Sequence, residues 1–211
     1  VPRENAADAI VASALAVHAR GGLEGFTIHA VVKDSGRSLG SLYHHFGSFD
    51  GLRAEVYARC LAELLDTIVA AVVPCRSAHG GIEALVRAYL AFTREHRDRA
   101  LFVHAQAHAS FVPAHGPAIA AARTPRLEAL QAWLAPHVDA GRLVRLPGPL
   151  FEMLVVGPVA ETARRWLTGD LGVDLDLAAR LLPAHIVRAV TPAPAAGARK
   201  AAKPGRAPRS R

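Results

Sequence analysis

Apolar positions along this chain recur at intervals of three and four residues, and strand-like alternation is missing. Ala and Leu dominate the apolar set, and β-branched residues are scattered. The pattern predicts a first helix over residues 5–20, with Asn5 as its cap, Asp8 in its first turn and Ile10, Ala14 and Val17 on one face. Gly21 and Gly22 end it. Thr27 then caps a short helix reaching about residue 33, and Gly36 supplies the turn that follows. Ser38 caps a third helix over 39–46, and Ser48 caps a long fourth over 49–73. Further on, Pro- and Gly-rich breaks delimit five more helices near 81–95, 98–112, 117–140, 149–168 and 174–190. Pro158 and Pro183 are expected to kink the last two. The predicted fold is all-α with about nine helices. Its organisation is a trihelical unit over 1–52, a larger helical domain over 53–190 and a tail over 191–211.

The densest signal lies in residues 27–46, where two short helices flank the turn Asp34-Ser35-Gly36-Arg37. Val31, Val32, Leu42 and Phe46 can share a small core with Ile10, Ala14 and Phe26. Leu39, Gly40, Ser41, Tyr43, His44 and His45 then form a face of small or hydrogen-bonding groups that fits a DNA major groove. Ser38 turns the helix N-terminus, with its free amides, toward a phosphate. The plain alternative is an ordinary trihelical bundle. The run from Gly36 to Phe46, followed by Ser48, Asp50 and Leu52 and preceded by Ala14, Gly21 or Gly22, Phe26 and Thr27, resembles the signature of TetR-family transcriptional regulators. The resemblance covers about the first 55 residues. It implies DNA contacts from Thr27, Ser41, Tyr43, His44 and His45, with Tyr43 and the caps meeting phosphates and His44 nearer the base edges. The sequence departs from the family at Val32, where a small residue is common, at Arg37, where an apolar one is, and at Phe49, where a lysine usually meets a phosphate. Arg37 is the candidate replacement for that lost ionic contact.

Charge modifies this picture. The net charge is +7, but six basic residues and no acidic ones fall in 191–211, leaving nineteen basic against eighteen acidic groups before them. The folded part is therefore nearly neutral. The tail, rich in Ala, Pro and Gly, has too little apolar surface to offset its ordering entropy and is expected to be disordered, serving solubility or a non-specific grip on phosphates. No apolar run approaches the ~20 residues of a membrane span, and no charged leader precedes an apolar run, so a cytoplasmic location is expected. Cys60 and Cys75, the only cysteines, read as small hydrophobes. No phosphate loop, nucleophile elbow or Cys/His metal pattern is present, so neither enzymatic activity nor a cofactor is expected.

For the remainder of the chain the resemblance implies a ligand pocket within residues 81–170 and a homodimer formed by the last two helices. The residues accord with both. Leu150, Phe151, Leu154, Val155, Val159, Trp166 and Leu167 cover nearly all sides of one helix, and Leu177, Leu181, Leu182, Ile186 and Val190 add a second apolar surface. Burial within a monomer is the alternative. Phe92, Phe111, Trp133 and Phe151 are candidates to line a pocket for a lipophilic effector. His104 and His108, four apart on one helix, are pocket or packing histidines rather than metal ligands, since no third ligand is near. The resulting expectation is a ligand-responsive repressor that binds a palindromic operator in double-stranded DNA as a homodimer. A helical ligand-binding or scaffold protein that has lost operator binding is the second possibility.

Overall fold

A computed structural model describes residues 5–107, 109–170 and 172–193, and the described residues are helical throughout apart from turns. Eleven helices follow one another: α1 (Ala6–Gly25), α2 (Ile28–Ser35), α3 (Leu39–Phe46), α4 (Phe49–Val72), α5 (Ala78–Glu95), α6 (Arg97–Gln106), α7 (Phe111–Ala114), α8 (Gly116–Asp139), α9 (Gly148–Val155), α10 (Gly157–Leu167) and α11 (Leu175–Val190). The two beyond the expected nine arise from splits. The helix expected over 98–112 breaks after Gln106, and its end is the short α7. The helix expected over 149–168 divides at Gly157, which places Pro158 in the first turn of α10, where its missing N–H leaves no bond unmade. α11 runs through Pro183, and α8 through Pro125 and Pro136, without interruption. α1 continues past its expected end to Gly25, across a kink at Gly22 (φ 59°, ψ −158°).

Local chemistry sets the remaining boundaries. The side chains of Asn5, Thr27, Ser38 and Ser48 each accept a backbone N–H from the first turn of the following helix. Ser77, which the sequence reading missed, does the same for α5.

Two apolar clusters make up the interior, and α4 belongs to both. Its first half sends Leu52, Val56, Tyr57 and Cys60 into a cluster with Ile10, Ala14, Phe26, Val31 and Leu42 of α1–α3. Its second half sends Leu64, Ile68 and Val72 into a cluster with α5 and the final helices. At 1.5 Å per residue, α4 is roughly 36 Å long and acts as a strut between the two. α6 is likewise shared, with Phe102 and Val103 in the first cluster and Ala100 in the second. Both cysteines are free thiols, and burial pushes the Cys60 thiol up to about 12. No described helix is long and apolar enough to cross a membrane.

Candidate nucleic-acid interface and effector cavity

α2 and α3 are held against α1 by Val31 and Leu42, both fully buried. Between them Gly36 adopts φ 62° and ψ 16°, a left-handed conformation that a side chain would strain. Ser35 reinforces the turn: its hydroxyl donates to the Val32 carbonyl at 3.2 Å and accepts the Arg37 N–H at 3.3 Å. With Leu42 anchored inward, Leu39, Gly40, Tyr43, His44 and His45 are exposed along α3, and Ser41 is half-buried. Thr27, Arg37 and Ser38 are exposed beside them. Tyr43 keeps 48% of its surface free despite its aromatic ring. The Ser38 hydroxyl accepts the Ser41 N–H at 3.1 Å, and that of Thr27 accepts the Ala30 N–H at 3.2 Å.

The charges around this face are largely spoken for. Arg20 pairs with Asp34, and its hydrogen bond holds the Asp34 carboxyl below the usual carboxylate range. Arg53 is engaged by Asp50 at 3.0 Å and by Gln106 at 2.7 Å. Among the described residues, no carboxylate lies within ion-pair distance of Lys33 or Arg37.

A second site opens behind this unit. A cavity of about 910 Å³ runs between α4, α5, α8 and α9. Tyr57, Leu61, Leu64, Ile68 and Val72 form its α4 wall, and Ile82, Leu85 and Tyr89 its α5 wall. Trp133 lies over Gly81, where an added Cβ would overlap the indole ring, and its Nε1–H donates to the Cys75 carbonyl at 2.7 Å. The polar lining consists mainly of Arg123, Gln131, Asp139, Arg145 and Glu152, with the two tyrosines. Among the described residues, no three His, Cys, Asp or Glu side chains gather as a metal site.

Comparison with known proteins bears on both regions. Residues 10–56 match the family model described as bacterial regulatory proteins of the tetR family. Residues 10–56 form a TetR-family domain. The fold of the whole chain agrees. A TetR family transcription regulator from Marinobacter aquaeolei VT8 superposes with a TM-score of 0.70 at 16% identity, over 88% of this chain and 95% of that one. A tetR-family bacterial regulatory protein from Rhodococcus RHA1 gives 0.71 at 20% identity, over 90% and 100%. The transcriptional regulator FadR from Bacillus subtilis, solved in complex with stearoyl-CoA, gives 0.70 at 15% identity, over 85% and 96%. Among curated proteins no match was found.

Within this TetR-type fold the residues singled out from sequence part company. Those of 27–45 are exposed, apart from the half-buried Ser41. Trp133 and Phe151 do line the cavity. Phe92 does not: it is buried beside His96, with ring centres 4.9 Å apart. Phe111 is buried in the first cluster beneath the Arg53 guanidinium, 4.6 Å away. His104 stands behind the cavity wall, its Nε2 3.3 Å from the Tyr89 hydroxyl, and burial lowers its pKa. His108 lies outside the described residues, as does the tail from 194 onward. Phe49 tilts against Phe26, with ring centres 5.2 Å apart, so the residue in place of the usual lysine has joined the packing. What sequence reasoning missed is the α4 wall and Arg123. On the last helices, Leu150, Met153 and Leu154 of α9 and Leu177 and Leu181 of α11 are exposed, Met153 by 67%.

Proposed function

We propose that this protein is a transcriptional regulator that binds a palindromic operator as a homodimer and responds to a lipophilic effector. The observation that carries it is the outer face of α3, where Tyr43, His44 and His45 stand clear of the protein within the segment that matches the tetR-family model. In this reading Leu39, Gly40, Ser41, His44 and His45 enter the major groove, and Tyr43, Thr27, Ser38 and Arg37 meet phosphates. Residues 1–52 act as the DNA-binding domain and 53–190 as the effector-binding and dimerisation domain. The basic tail adds a salt-sensitive, sequence-independent grip. No catalytic role is assigned, and the site of action is the cytoplasm, with the DNA.

Dimerisation is supported by the uncovered side chains of α9 and α11, which would be an unusual expense of apolar surface on a monomer. A two-fold pair places the two α3 helices one DNA turn apart, ~34–36 Å. The effector's class is supported by the apolar walls of the cavity, and a structural neighbour, FadR of Bacillus subtilis, was solved with stearoyl-CoA. α4 and α6 carry the response, because both line the cavity and both pack against the DNA-binding unit. Repression with effector-driven release needs a coupling of only ~1–3 kcal/mol, enough to change occupancy 5- to 150-fold.

Phe49 favours the second reading, a ligand-binding or scaffold protein without an operator, since it removes one phosphate contact. Gel retardation against the protein's own upstream region and against random DNA, over a range of salt, separates the two. A regulator retains the upstream fragment at salt concentrations that release random DNA; equal loss of both fragments would favour the scaffold.

A further inference from the structure

The inner stripe of α8 is Ile119, Arg123, Leu127, Leu130, Leu134 and Val138, all of which line the cavity. Five positions are apolar at the three- and four-residue spacing of one helix face, and the sixth is an arginine. A charged residue breaks the pattern of such a stripe, and Arg123 keeps 43% of its side-chain surface open.

Its existing partner does not account for the charge. Glu152, across the cavity on α9, is reached only by Arg123 Nη2, at 3.1 and 3.2 Å. Those bonds are long for charge-assisted ones, and both side chains are about half exposed, so the pair is weak and readily exchanged. One turn along the same helix Arg126 shows the contrast, gripping Asp66 of α4 through Nε and Nη2 at 2.8 and 2.7 Å. The Nε and Nη1 donors of Arg123 have no partner among the described residues. The other lining arginine, Arg145, is 75% exposed and tied to Asp139 at 2.7 Å. The α4 wall facing Arg123 spans sixteen residues from Tyr57 to Val72, roughly 22 Å of apolar surface at 1.5 Å per residue. Tyr57 closes one end of that wall, within the field of Arg123, and its hydroxyl has no partner among the described residues.

We infer that the cavity takes an amphiphile with one long apolar chain laid along α4 and α8 and one anionic head, a carboxylate or a phosphate, held by Arg123. The inference rests on the effector-cavity reading and names its ligand class. The chain buries apolar surface, and the head takes the open donors of the guanidinium in a bidentate grip. Arg123 thereby selects an acid over a neutral lipid of the same length.

The test is titration of the full-length protein, followed by tryptophan fluorescence, with oleate, monooleyl phosphate and oleyl alcohol below micellar concentration. The same titration is run on Arg123→Gln. At least one anion is expected to bind about tenfold or more tightly than the alcohol, and the tighter of the two identifies the head. Arg123→Gln is expected to erase that preference while binding the alcohol as the parent does, which also shows that the variant is folded. Equal binding of alcohol and acids by the parent, or a preference that survives in Arg123→Gln, overturns the assignment of Arg123 and leaves the cavity as a site. Binding of none of the three overturns both.

Discussion

Arg53 Nη2 donates to Gln106 Oε1 at 2.7 Å, tying the first turns of α4 to the last turn of α6. Gln106 is completely buried, and neither its Nε2 nor Arg53 Nε has a hydrogen-bond partner. Replacing one side of the link, Gln106→Leu, leaves the guanidinium short of an acceptor and is expected to cost about 1–3 kcal/mol. Replacing both, Arg53→Met with Gln106→Leu, is expected to recover part of that loss. Urea unfolding of the three variants checks it, and additive losses would mean that the bond contributes little.

His18 presents the same problem one helix away. Its ring is buried between Phe26 and Phe102, and neither nitrogen has a partner. Burial, and then the charge of Arg53, lowers its pKa. The native state therefore binds fewer protons than the unfolded chain, whose histidine titrates near 6.5. Stability from this group is whole above that pH and is lost as pH falls below it, until the folded-state value is reached. His18→Leu is expected to flatten the fall in thermal midpoint between about pH 6.5 and 5. Part of the slope should remain, because burial lowers His104 as well. An unchanged slope in the variant would mean that His18 takes a proton without loss of packing.

Gly81 is the floor on which the Trp133 indole rests. Gly81→Ala is expected to push the ring off α5, weaken its bond to the Cys75 carbonyl and cost about 1–3 kcal/mol through overpacking. A shifted tryptophan emission together with a lower urea midpoint would report it. A spectrum and stability like the parent's would mean that the wall of the cavity yields easily.

Phe49→Lys exchanges packing for charge. Loss of the Phe26 contact is expected to cost about 0.5–1.5 kcal/mol. In return the salt dependence of DNA binding should steepen by about 0.9 per subunit for the phosphate contact regained. A slope equal to the parent's would mean that this end of α4 does not face the DNA backbone.

The trihelical unit was legible because its signals are local. Thr27, Ser38, Ser48 and Gly36 each act on the neighbouring turn, so the boundaries of α3 follow from adjacent residues. The break after Gln106 was not legible, since residues 107–110 contain neither Gly nor Pro. Nor was the division between cavity wall and core. Phe92 and Phe111, like Trp133 and Phe151, fall on apolar helix faces, and periodicity reports such a face without saying whether it meets side chains or space. Arg123 did carry a readable signal, a charge on an otherwise apolar stripe.

In the proposed regulator α3 reads a DNA sequence twice, once from each subunit. Selection of bound fragments from random DNA by the full-length protein at physiological salt, beside a Tyr43→Ala, His44→Ala double variant, tests it most directly. Enrichment of a palindrome by the parent protein and loss of that enrichment by the variant, with residual non-specific binding, are expected. A parent that enriches nothing, or a variant that enriches the same palindrome, would contradict it.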